Sequence, residues 1–229
     1  MAEERIAERI DANLLDVTME DLHDMPKQLY EGKITKLREK TQGQLVIKEY
    51  PTASAHSGHF KSLMNELALK KSFRPDVIFI DYLNICASSR FKGGNISSYF
   101  YVKAIAEELR GLAVEFNVPI FSATQTTRTG YVSTDIGLED TSESFGLPAT
   151  ADFMFALISN EELEALGQMK VKQLKNRYND PSINRAFIIG VDRAKMRLYD
   201  VQQKAGEIVD ANQVDEKEDA YNKFSDFKL

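Results

Sequence analysis

The chain carries one cysteine and three histidines, and it has no apolar run long enough to span a membrane. A lone Cys86 excludes an intrachain disulfide and a cysteine-based zinc site, and it suits a reducing compartment. His23, His56 and His59 are scattered, which argues against a histidine metal centre. Every long apolar stretch is broken by charge, well short of the ~20 residues that a spanning helix needs. The opening MAEERIAERID is too acidic for a secretory signal, so a cytoplasmic location is expected. Positive charge is also short: 29 Lys+Arg stand against 35 Asp+Glu, a net charge of −6. That balance disfavours a broad nucleic-acid-coating surface while leaving room for a local basic groove. Internal repeats and low-complexity blocks are missing.

What is present suits one α/β domain with a tail: 229 residues, of which 43% are apolar and 28% charged. Helix-like and strand-like stretches alternate, which predicts a mostly parallel sheet with helices on both faces. Ile6, Ile10 and Leu14 recur every four residues and predict an amphipathic helix; Pro26 breaks it, and a second helix is expected over 30–40. Residues 44–50 (QLVIKEY) read as a strand stopped by Pro51. Phe60, Leu63, Met64 and Leu67 share a helical face, as do Ile105, Leu109, Leu112 and Phe116. The runs 77–81 (VIFID) and 118–123 (VPIFSA) read as fully buried strands, and 152–158 as another. Stretches 169–175, 185–191 and 197–201 predict an antiparallel edge. Residues 1–202 are therefore expected to form the domain. Residues 203–229 carry seven acids and four bases with little periodicity, and read as an acidic flexible tail.

Three segments could carry chemistry. VIFIDYL ends a strand in Asp81, at the carboxyl tip where open α/β sheets place ligands. A carboxylate there can hold Mg²⁺ on a nucleoside triphosphate, and the plainer reading is a loop cap. The strand VPIFSATQ ends in Gln125, 44 residues on, an interval that suits a strand–helix–strand crossover and neighbouring tips. Its amide can donate to a γ-phosphate and accept elsewhere, or merely cap a loop. Lys175 and Arg177 alternate in LKNRYNDP and share one face of a strand end. They could grip a phosphate, or form a solvated hairpin tip.

Taken together, VIFIDYL, SATQ, EDTSESFGLPATADFMFAL and QLKNRYND resemble the C-terminal RecA-like ATPase domain of DnaB-like replicative helicases. IAERIDANLLDV fits the same pattern, and the T4-type phage helicases are the members most like it. The resemblance runs over roughly residues 2 to 201. It implies a RecA-like fold, ATP and Mg²⁺ as cofactors, a hexameric ring on single-stranded DNA, and a primase and a helicase loader as partners. It makes Asp81 the Walker B aspartate on Mg²⁺, Gln125 the link between γ-phosphate and DNA loops, Arg177 the finger reaching a neighbouring subunit's ATP, and Lys175 its companion. The span Asp140 to Asp152 matches the DNA-contacting stretch, with Ser142 and Glu143 as candidate contacts. Ser142 stands where cellular members carry Arg, and Phe145 where they carry Gly. Arg90, Lys92 and Arg128 lie in the loops after the Asp81 and Gln125 strands, where a ring would turn them to DNA phosphates.

One element of the pattern is lacking. The only Gly-Lys pair is Gly32-Lys33, followed by Ile34 and with no glycine five residues before, so no G-x-x-x-x-G-K-[ST] phosphate cradle occurs. By the resemblance, the P-loop strand and the catalytic glutamate belong ahead of Met1. The expectation is a helicase portion inactive alone: a fragment, a split-gene product completed by a second chain supplying the P-loop half, or a non-catalytic homologue. The rival functions are a RecA-like module that binds single-stranded DNA or a replication partner without catalysis, and a RecA-type recombinase relative. The end AYNKFSDFKL spaces Tyr221, Phe224 and Phe227 three apart and is expected to dock a replication partner or fold back on its own domain.

Overall fold

A computed structural model of the protein describes residues 2–91, 96–126, 136–140, 146–180 and 183–202. Helix α1 (Glu3–Leu15) follows the Ile6–Ile10–Leu14 spacing, carries Glu3 and Glu4 where the helix dipole favours acids, and stops at Asp16 in the left-handed region. A short α2 (Met19–Asp24) follows, which the apolar pattern does not announce. A capping box makes it: Thr18 Oγ1 accepts from Asp21 N at 3.0 Å, and Thr18 N donates to Asp21 Oδ2 at 3.4 Å. Helix α3 (Lys27–Lys40) starts directly after Pro26, three residues earlier than expected.

Residues 44–50 join no ladder among the described residues, contrary to the strand expected there. Their apolar side chains instead line a groove with α1 and α3: Leu45 and Val46 face Ile10, Leu14, Ile34 and Leu37. Helix α4 (Ser57–Lys71) is capped by imidazoles. His56 Nδ1 accepts from Gly58 N at 3.0 Å, and His56 N donates to His59 Nδ1 at 3.2 Å.

Strands β1 (Ile78–Ile80) and β2 (Ile120–Ser122) pair in parallel, with Phe79 opposite Phe121, and α5 (Ser98–Phe116) connects them. Val102, Ile105, Ala106 and Leu109 of α5 form the main core with Leu83, Cys86 and Leu147. Ile80 packs on this cluster from the parallel sheet, and Met154 packs on it from the other sheet. The two strands are not buried on both faces as their continuous apolar runs suggest. Phe79 is 73% exposed and Phe121 48%, their rings stacked at 5.2 Å on the face away from α5.

The second sheet holds β3 (Phe153–Ile158), β4 (Gln168–Asn176), β5 (Ala186–Asp192) and β6 (Arg197–Asp200), in that order and antiparallel throughout. Short helices α6 (Gly146–Thr150) and α7 (Glu161–Ala165) flank β3. The fold is thus α/β with a small parallel sheet and a larger antiparallel one, so among the described residues the expected balance, mostly parallel, is reversed. The β5–β6 turn closes on the chain's beginning. Lys195 Nζ and Arg197 Nη1 donate to Asp16 Oδ1 at 3.2 and 2.8 Å, and Asn13 Nδ2 donates to the Met196 carbonyl at 2.7 Å. No helix among the described residues is long and apolar enough to cross a membrane.

Candidate functional site

The parallel pairing of β1 and β2 sets two strand tips side by side. Asp81 directly follows β1, and Gln125 follows β2 by three residues. Hydrogen bonds tie the tips together. Ser122 Oγ donates to the Ile80 carbonyl at 2.8 Å, and Leu83 N donates to the Ala123 carbonyl at 3.1 Å. Thr124 Oγ1 donates to Asn84 Oδ1 at 2.8 Å, and Gln125 Nε2 donates to the Tyr82 hydroxyl at 3.2 Å. Tyr82, which the sequence does not single out, thus receives the Gln125 amide across the two tips. Asp81 is exposed and carries no ion pair among the described residues.

Lys175 lies near the end of β4 in the other sheet, and Arg177 directly follows that strand. Lys175 Nζ donates to the Pro148 carbonyl of α6 at 2.6 Å. Arg177 Nη1 donates to Asp152 Oδ1 at 2.9 Å, and Arg110 Nη1 of α5 donates to the same oxygen at 2.8 Å. Burial raises the Asp152 carboxyl pKa, but the two guanidiniums outweigh it and hold it below its ordinary value. The sequence does not single out Arg110, and it offers Asp152 only as the end of the span Asp140 to Asp152, because the two lie 42 residues apart and form a partnership only in the fold.

Arg90 follows the Asp81 strand and lies against α5, where its Nη1 pairs with Glu107 Oε2 at 2.5 Å. The adjacent Glu108 collects hydroxyl and amide donors from Ser57, Ser88 and Ser89. Burial pushes that carboxyl up, yet these hydrogen bonds prevail and bring its pKa to about 2. Burial also pushes the Cys86 thiol up, which suits a packing role rather than a reactive one. Lys92, Arg128, Ser142, Glu143 and the segment 203–229 lie outside the described residues.

The described residues contain no group of three or more His, Cys, Asp or Glu that could enclose a metal. Asp81 alone fits a different type of site. Mg²⁺ on a nucleotide takes one or two carboxylates and completes its shell with water and phosphate oxygens. The open carboxylate of Asp81 is of the kind that requirement names, whereas the glycine-rich cradle for the phosphates does not occur in these 229 residues.

Residues 1–207 match the DnaB-like helicase C-terminal domain family. The DnaB-like replicative helicase of Enterobacteria phage T4 is 43% identical over 97% of this chain, which covers 49% of that relative. A protein of Chlamydia trachomatis described as a probable plasmid replicative DNA helicase is 34% identical over 56% of the chain and 27% of its own length. The chain therefore spans about half or less of the length of these relatives. Among solved structures, a DnaB-like replicative helicase, studied with its interactions with primase, superposes with a TM-score of 0.67 at 15% identity. That match covers 88% of this chain and 49% of the other. A solved ATPase domain superposes with a TM-score of 0.69 at 16% identity, over 88% of this chain and 72% of that one. At such identities the superpositions speak for the fold alone. The family match and the T4 relative speak for descent, and the chain belongs to the DnaB-like helicase C-terminal domain family.

Proposed function

We propose that this chain is the C-terminal part of an ATP-driven replicative DNA helicase that unwinds duplex DNA at the fork. The observation that carries the reading is the pair of tied strand tips bearing Asp81 and Gln125, in a chain of this family. Asp81 would hold Mg²⁺ on ATP, and Gln125 would relay the state of the γ-phosphate through Tyr82 to the loops on single-stranded DNA. Arg177 and Lys175 would face a neighbouring subunit's nucleotide in a hexameric ring. The Asp152 carboxylate that holds Arg177 would then orient the finger rather than compete with its target. Residues 1–202 form a partial RecA-like domain on this reading, in which the P-loop strand comes from sequence outside these 229 residues, in the same or a second polypeptide. The end of the acidic tail, residues 219–229, would dock a helicase loader, and primase would join the ring.

Phosphoryl transfer depends almost wholly on positioning and electrostatics, so a chain without the cradle and the catalytic base should turn over no ATP. The test is ATPase activity of the chain alone and after mixing with a polypeptide bearing the other half of a T4-type helicase. We expect none alone and DNA-stimulated activity in the mixture, abolished by Asp81→Asn. Robust Asp81-dependent turnover by the chain alone would refute the incomplete-site reading. A mixture that assembles yet stays inactive would favour the second reading, a non-catalytic RecA-like module on single-stranded DNA. The missing phosphate cradle is the observation that keeps that alternative standing.

A further inference from the structure

Helix α5 grips the segment after Asp81 with two consecutive carboxylates. Glu108 Oε1 accepts from Ser88 Oγ at 2.6 Å and from Ser89 N at 3.0 Å, with Arg90 N at 3.4 Å. Its Oε2 accepts from Ser89 Oγ at 2.7 Å and from Ser57 Oγ, at the start of α4, at 2.8 Å. About two turns earlier on α5, the Tyr101 hydroxyl accepts from Ser88 N at 3.1 Å. A carboxylate offers about four lone-pair positions, and here neutral donors fill them. Among the described residues no cation pairs with Glu108. Its charge is therefore spent on fixing the backbone of residues 88–90. Glu107 does the complementary work: its Oε2 takes the Arg90 guanidinium at 2.5 Å, while its Oε1 lies 3.9 Å from Lys103 Nζ. Backbone and side chain of one short segment are thus held by neighbouring carboxylates of one helix.

We propose that Glu108 is the positioning residue for the loop after β1, and that Glu107 holds Arg90 in the place a nucleic-acid phosphate takes when the loop engages a single strand. The second half rests on the reading of Arg90 as a phosphate contact; the first half does not. A guanidinium binds carboxylate and phosphate by the same planar fork, so the two anions compete for it. Glu107 then tunes how readily the loop binds, and Glu108 keeps the loop where Arg90 can make the exchange.

The full 229-residue chain tests both halves, with a fluorescein-labelled oligo-dT as the probe. Amide hydrogen exchange is read at residues 88–90 and, as an internal control, at Leu109 and Leu112 in α5. Glu108→Gln is expected to speed exchange at 88–90 about tenfold while leaving the control amides unchanged. Equal acceleration in both places, or none at 88–90, would overturn the positioning role. Glu107→Gln is expected to tighten oligo-dT binding several-fold at low salt. It should also steepen the dependence of log affinity on log salt by about 0.7, the value of one added phosphate contact on a single strand. Unchanged or weaker binding in Glu107→Gln would overturn the competition. So would identical binding, or equal absence of binding, in the wild type and Arg90→Ala, an outcome that removes Arg90 as a DNA contact while the exchange data still decide the role of Glu108.

Discussion

Glu108 and Asp152 are the two carboxylates whose surroundings most clearly hold them in the charged form near the candidate site. For Glu108 the ordinary value of 4.5 falls to about 2 in the fold. A folded-state pKa below the unfolded one means that the unfolded chain binds the proton first as pH falls. The stabilisation is therefore complete above about pH 4.5 and drains away as pH drops toward about 2. Urea unfolding between pH 5 and pH 2 should show this loss in the wild type and a flatter profile in Glu108→Gln. An unchanged slope in the variant would remove Glu108 from the acid sensitivity. At this scale Asp81 and Gln125 are legible in the sequence, because each closes an apolar run and a strand tip needs only local information. Glu108 is not legible. Its donors lie 18 to 51 residues away, and a glutamate beside another glutamate on a helix reads as a solvated face.

Elements follow the sequence where their signals are local and fail to follow it where a neighbour decides. The four-residue spacing of Ile6, Ile10 and Leu14 suffices for α1, and Pro26 suffices for the start of α3. Residues 44–50 have strand-like composition, but a strand exists only when another edge accepts its ladder, and theirs is absent among the described residues. Two of the three histidines, uninformative as sequence, serve α4 as cap and counter-cap. His56→Ala should cost about 1 kcal/mol, the usual worth of an N-cap, whereas His56→Asn should keep most of it because the amide oxygen can accept from the same N–H groups. Thermal unfolding of the two variants side by side checks this. Equal losses would mean that ring packing of His56 on His59, with centroids 4.0 Å apart, matters more than the cap.

For the molecule as a whole, α5 is the shared floor: Ile80 reaches it from the parallel sheet and Met154 from the antiparallel one, yet the two sheets are not joined by a ladder among the described residues. The apolar runs in the sequence foretell strands buried on both faces, and the structure covers one face only. Phe79 and Phe121 stack on the open side, and Phe153, Phe155 and Leu157 are exposed along β3. Apolar surface of this kind drives association. Replacing Phe79 and Phe121 together by Thr, which suits a strand, should lower concentration-dependent light scattering of the isolated chain while leaving its melting temperature nearly unchanged. Scattering that stays the same would place the association elsewhere. The predominance of antiparallel strands among the described residues is not legible in the alternating pattern, because that pattern orders elements along the chain and says nothing of which edges pair.

The ion pairs from Lys195 and Arg197 to Asp16 span 179 and 181 residues of sequence. A ribosome releases α1 about 180 residues before the β5–β6 turn, so for that interval the carboxylate at the end of α1 waits without its partners. Contacts of such separation form late, after the entropy of closing the intervening chain has been overcome. Translation speed between α1 and the β5–β6 turn thus governs how long α1 waits for these partners, and a pause there lengthens the interval in which chaperones or a nascent neighbour can reach it.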